Sequence, residues 1–139
     1  MMQKSGYMQV SNAPAYDPSG RKCRIIEISI DSGRYAVEAS ELSKLLLYGR
    51  RCQVRHISQH FGKHLGETAG SVSLSFSKKG LILEIFPGHR YMIAKGGVEN
   101  MLGGYIRYTK ISAMHAPESG IHSCNSPTIQ STITPWVAV

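Results

Sequence analysis

Two stretches of the chain alternate apolar and polar residues with period two and then switch to helical spacing. The first is RKCRIIEISI, the turn Asp31-Ser32-Gly33, and RYAVEA. Successive side chains of a strand point to opposite faces, so this alternation around a turn signal predicts a half-buried hairpin. Ser40 follows as an expected helix N-cap, with Glu41 in the first turn where the helix dipole favours an anion. Leu42, Leu45 and Leu46 fall at i, i+3 and i+4, one apolar stripe, and Gly49 closes a short helix.

The second stretch repeats the first. An offset of 56 places Arg34-Tyr35 on Arg90-Tyr91, Val37 on Ile93, Leu42 on Val98, Leu45 on Met101 and Leu46 on Leu102, while Ile26 and Ile30 meet Ile82 and Phe86, without a gap. A further strand-like run follows each helix, RRCQVRHIS after Gly49 and YIRYTKIS after Gly103-Gly104. The expected order is β(22–30), β(33–38), α(41–47), β(50–57), a loop, β(71–77), β(80–86), β(89–94), α(97–102) and β(105–112). Hairpins that cover one sheet face with helices give an α+β class: an antiparallel β-sheet built from two hairpin-helix (ββα-like) pseudo-repeats, about 22–57 and 71–112. Residues 21–115 form the expected single domain. Residues 1–20, with Gly, Pro, Ser and Asn, read as a flexible N-terminal arm in which only Tyr7 to Val10 offers an edge strand. Residues 116–139 are rich in Ser, Thr and Pro, lack Lys and Arg, and read as a flexible tail outside the core.

The stretch from Arg50 to Leu102 reads as four antiparallel strands and then a helix. In element order it resembles the layout of single-stranded nucleic-acid binders of the whirly and purine-rich-element-binding groups. The likeness implies a sheet that receives a single strand, and it transfers no individual residue.

Charge sharpens this picture. Of 139 residues, 16 are Lys or Arg and 9 are Asp or Glu, for a formal charge of +7 and a pI near 9.5. At 42% hydrophobic the chain can bury one core without metal or disulfide staples, which excludes collagen-like and wholly disordered classes. Its longest apolar runs, such as LILEIF, fall far short of the roughly 20 residues of a membrane span. The first 20 residues show neither a secretory h-region nor a transit-peptide composition, so no membrane partner is expected. The odd set Cys23, Cys52 and Cys124, with no CxxC pair, suits reduced thiols in the cytoplasm.

The basic residues cluster. From Leu42 to Gly66 there is no Asp or Glu, whereas Lys44, Arg50, Arg51, Arg55 and Lys63 lie there with His56, His60 and His64. In a strand, Arg51, Gln53 and Arg55 point one way and Arg50, Cys52, Val54 and His56 the other, so Arg51 and Arg55 share a face suited to bidentate phosphate contacts. Tyr35, Tyr91, Tyr105 and Tyr108 sit beside Arg34, Arg90 and Arg107, the composition of a base-stacking platform. Lys78 and Lys79 mark a hairpin turn, and Lys95-Gly96-Gly97 precedes the second helix, where backbone N–H groups can meet an anion. A solvated basic face and ordinary sheet tyrosines are the plainer readings of the same residues.

No phosphate-loop or dinucleotide motif is present, and Cys52, His56, His60 and His64 recur every four residues in a stretch with strand periodicity that cannot bring them onto one ion. The carboxylates are scattered without a catalytic pairing. The expected protein is therefore a small basic nucleic-acid binder that prefers single-stranded DNA or RNA, with no catalytic residue, metal or cofactor. Its binding set is Lys44, Arg50, Arg51, Arg55, Lys63, Lys78, Lys79, Tyr91, Lys95, Tyr105, Arg107 and Tyr108. The rival is a self-assembling or protein-interaction module, a homo-oligomer joined through strand edges and through arms that end in TPWVAV.

Overall fold

The structure is a computed structural model and describes residues 4–11, 13–31, 33–58, 63–103 and 133–139. Its strands are β1 (Lys4–Val10), β2 (Ala15–Tyr16), β3 (Lys22–Cys23), β4 (Ile25–Ile30), β5 (Gly33–Glu38), β6 (Arg55–Ser58), β7 (Lys63–Thr68), β8 (Val72–Phe76), β9 (Gly80–Ile85), β10 (His89–Ala94) and β11 (Thr134–Ala138). Helix α1 spans Ala39–Tyr48, and residues 95–103 form α2.

All eleven strands belong to one curled half-barrel sheet in the order β3-β2-β7-β6-β5-β4-β1-β11-β10-β9-β8. Alternation decides what each strand buries. Ile26, Ile28 and Ile30 of β4, Leu81 and Leu83 of β9, and Tyr91 and Ile93 of β10 point into one core, where Leu42 and Leu45 of α1 and Val98, Met101 and Leu102 of α2 meet them. The residues between them use the other face. Ala36 and Ile25 pack there with Ala15, Cys23 and Leu65 in a smaller cluster.

The hairpins and helices form where the apolar period places them. Ile30 faces Gly33 across the β4–β5 turn, and Ile85 faces His89 across the β9–β10 turn. Gly49 ends α1 with φ 68°, a left-handed cap whose N–H donates to the carbonyls of Leu45 and Lys44. The cap at the other end differs from expectation. Glu38 occupies it in extended geometry without a side-chain capping bond, so Ser40 lies inside the first turn, because β5 runs directly into the helix and Ala39 N–H donates to Arg24 O.

Both chain ends depart from the arms expected at 1–20 and 116–139. β1 pairs with β4 on one side and β11 on the other, and β11 pairs with β1 and β10, so these two strands occupy the centre of the sheet. Met8, Val10 and Trp136 are fully buried. The Ser/Thr/Pro composition of the tail masked a short alternating strand at its end. Residues Thr134–Ala138 pair within their own chain, between β1 and β10. Two smaller corrections concern the middle of the chain: β7 fills part of the stretch expected as a loop, and residues 51–54 are irregular, with strand geometry beginning only at Arg55. The expected strand 105–112 lies outside the described residues.

The close approach of β1 to β4 depends on one residue. A Cβ on Gly6 would strike the Ser29 carbonyl oxygen and come within 2.7 Å of Ile30 Cα, both rigid backbone in the neighbouring strand. Gly6→Ala is expected to cost about 1–3 kcal/mol by forcing these strands apart. Urea denaturation followed by circular dichroism measures it.

Candidate nucleic-acid interface

The C-terminal turn of α1 and the segment after it gather most of the basic strip. Lys44 and Tyr48 lie one helical turn apart on the solvent side, and Gly49 turns the chain so that Arg50 and Arg51 follow on the surface. The Arg50 guanidinium lies 5.9 Å from the centre of the Tyr48 ring, within cation–π range, and Tyr48 is 55% exposed. Arg50 N–H points back to Lys44 O at 3.4 Å.

From here the chain alternates as the sequence predicts, with Arg51 and Gln53 outward and Cys52 and Val54 buried. Gln53 N–H donates to Glu41 Oε1 at 3.0 Å, which pins the segment to the helix. Arg55 is half-buried: its Nη2 donates to Gln53 Oε1 at 2.8 Å and its Nη1 to Gly66 O at 3.2 Å. It orients the segment and has less capacity for phosphate than Arg50 or Arg51. His56, expected to point inward with Cys52 and Val54, is exposed, since the β6–β7 register shifts between Arg55 and Ile57.

Two carboxylates lie near this surface. Burial, followed by repulsion from Glu41, pushes the Glu38 carboxyl above its ordinary range, partly offset by Arg21. Burial and then the Glu41 and Glu38 charges push the Cys52 thiol up to about 12. Cys52 therefore stays a neutral, unreactive thiol at any physiological pH. Iodoacetamide at pH 8.5 is expected to modify Cys52 at least about tenfold more slowly in the folded protein than in urea, measured by peptide mapping. Rapid native labelling at that position would contradict this environment.

A second cluster forms at the other hairpin. Lys78 and Lys79 are the exposed central residues of a two-residue turn closed by reciprocal bonds between Ser77 and Gly80. Lys95 N–H donates to Lys79 O at 3.3 Å, so the exposed Lys95 at the start of α2 joins them.

Other residues of the expected set have different roles. Lys63 Nζ is paired with the Glu27 carboxylate and lies 3.3 Å from Ser11 Oγ, while Arg34 approaches the same carboxylate at 3.6 Å. That bridge ties β7 to β4 and leaves Lys63 a structural cation. Tyr91 is only 6% exposed, packed in the core with its hydroxyl directed to Asp31 Oδ2 at 3.5 Å, so its ring offers no face to a base. Tyr35 is half-buried beside His56 at 5.4 Å. Tyr105, Arg107, Tyr108 and His60 lie outside the described residues. Tyr48 is absent from the expected set, although it follows Lys44 by four residues and directly precedes the closing glycine. Tyr7 and Phe86 are also exposed aromatics, at 43% and 77%.

A cavity of about 300 Å³ separates the 51–54 segment from β8, lined by Arg51, Gln53, Thr68 and Ser73 and by apolar Cys52, Val54, Val72 and Leu74. Among the described residues no three His, Cys, Asp or Glu side chains gather around a common point. No helix there is long and apolar enough to cross a membrane. Comparisons with protein-family models, curated proteins and solved structures return no match.

Proposed function

We propose that this protein binds nucleic acid non-catalytically, with single strands preferred over duplex. The observation that supports this most is the exposed group Lys44, Tyr48, Arg50 and Arg51 near the end of α1, where the Arg50 guanidinium lies over an accessible aromatic ring and two further exposed cations are close in the chain. Phosphates bind the cations, and a base stacks on Tyr48 for about 1–3 kcal/mol. The Lys78, Lys79 and Lys95 cluster supplies further phosphate contacts.

Preference for single strands follows from what the helices expose. A major-groove reader presents several Arg, Lys, Asn or Gln side chains along one helix. Here α1 offers Lys44 and Tyr48 to solvent, and the exposed positions of α2 are Lys95, Gly96, Glu99 and Asn100. DNA and RNA are equally suited to such contacts. Buried reduced thiols at Cys23 and Cys52 are compatible with a cytoplasmic setting.

The two hairpin-helix units are proposed as copies of one ancestral unit. Setting aside the two-residue strands β2 and β3, three strands precede a helix in each and a fourth strand follows, giving the adjacent runs β6-β5-β4-β1 and β11-β10-β9-β8. The equivalence needs one inserted residue. A gap-free offset puts buried Ile26 on Ile82, which faces away from the core, whereas Ile26 and Ile28 correspond in facing to Leu81 and Leu83. The second hairpin turn is longer by that residue, and the offset of 56 resumes at β10, placing Val37 on Ile93.

The test is fluorescence anisotropy of labelled single-stranded and duplex DNA and RNA over a salt series, with protein free of copurified nucleic acid. Single strands are expected to bind more tightly, with log affinity falling about 0.7 per phosphate contacted for each log unit of salt. Absence of binding at moderate salt sinks the proposal.

A further inference from the structure

We propose that the outer edge of β8 is a strand-addition site for an extended, acidic segment of another protein. The backbone pairing it invokes is independent of the nucleic-acid reading, although the cations that select the occupant, Arg51, Lys78 and Lys79, belong to that reading as well. Among the described residues the sheet ends at β3 and β8. β3 is two residues long and includes the exposed Lys22, a short and charged edge that resists pairing. β8, VSLSF, has five residues with neither charge nor proline.

Its hydrogen-bonding phase follows from the hairpin. Ser77 and Gly80 exchange both backbone bonds, and Phe86 N–H donates to Ser71 O. In an antiparallel pair such bonds alternate, so Ser73 and Ser75 face β9 while Val72, Leu74 and Phe76 direct their N–H and C=O groups outward. Val72 N–H is taken by Ala69 O at 3.1 Å. Leu74 and Phe76 then each present an unpaired donor and acceptor among the described residues, a ready template for an added strand.

Charge selects the occupant. The cavity beside β8 contains Arg51 and Gln53 and no carboxylate, and Lys78 and Lys79 follow the strand. A second copy fits poorly. Antiparallel pairing centred on Leu74 would carry the Lys78-Lys79 turn of one copy past Val72 of the other, towards its Arg51, setting like charges together. An incoming strand with carboxylates at both ends meets cations at both ends instead.

The test uses the whole chain, labelled with nitrogen-15, and a synthetic capped peptide Glu-Glu-Val-Thr-Val-Thr-Val-Glu-Glu. Its addition is expected to shift the amide resonances of Leu74 and Phe76 and to slow their hydrogen exchange by about tenfold or more. The same peptide with Gln for Glu is expected to bind about tenfold more weakly, and one N-methylated through its central residues not at all. The triple variant Arg51→Glu, Lys78→Glu, Lys79→Glu, confined to exposed positions, is expected to lose the preference for Glu over Gln. Unmoved Leu74 and Phe76 amides, or equal binding of the Glu and Gln peptides, overturns the proposal. So does sedimentation that finds a dimer protecting those two amides.

Discussion

Replacing Trp136 by alanine is expected to destabilise the protein by about 3–5 kcal/mol, a large share of the 5–15 kcal/mol typical of a domain. Trp136 is fully buried and sits on β11, the strand that joins β1 to β10 and hence the two halves of the sheet. Truncation leaves a cavity where backbone pairing on both sides restricts collapse. Trp136→Phe is expected to cost less than half as much. The indole N–H finds no hydrogen-bond acceptor among the described residues, and removing an unpaired buried donor recovers about 1–3 kcal/mol against the lost packing. Because this is the only tryptophan, far-UV circular dichroism in urea should compare the variants, with fluorescence kept for the native chain. Deleting 133–139 removes the shared strand altogether and is expected to unfold β10 or the whole sheet. A stable truncated chain would mean that β11 only decorates the fold.

The second large effect concerns binding. Reversing Lys44, Arg50 and Arg51 to Glu together removes two charge units per position, taking the formal charge from +7 to +1. Affinity for a single-stranded oligonucleotide is expected to fall by about a hundredfold or more at moderate salt, with a shallower salt slope. All three positions are exposed, so the urea midpoint should stay close to that of the native chain. Arg55 is left intact because its bonds to Gln53 and Gly66 hold the segment, and a loss there would mix folding with binding. Tyr48→Ala separates stacking from charge. Its expected cost is about 1–3 kcal/mol in affinity with the salt slope retained. Unchanged binding in the triple variant would remove this surface and shift attention to Lys78, Lys79 and Lys95.

The candidate surface was partly legible. Lys44, Arg50 and Arg51 emerge from sequence because a helix end without carboxylates, followed by a glycine turn, leaves long cations in solvent. Lys63 belongs to the same run yet pairs with Glu27, and nothing local separates it from its neighbours, since its partner lies on another strand. Tyr91 fails as a stacking residue for a similar reason. Its arginine neighbour lies on the opposite face of β10, and alternation alone does not say which face the helices cover.

Local pattern by itself determined β5 at Gly33–Glu38, the β8–β9–β10 meander and the leucine stripe and glycine cap of α1. These rest on periods of two and 3.6 residues and on a glycine at positive φ, all set within a few residues of chain. Only the tertiary structure decided that the two chain ends lie side by side at the centre of the sheet, Tyr7 against Pro135 and Met8 against Thr134. Their composition gives weak signals, since β1 reads KSGYMQV with a glycine and polar residues and β11 reads TPWVA with a proline. Their stability comes from partners distant in sequence and from the helices that roof one face, and neither is encoded in local composition.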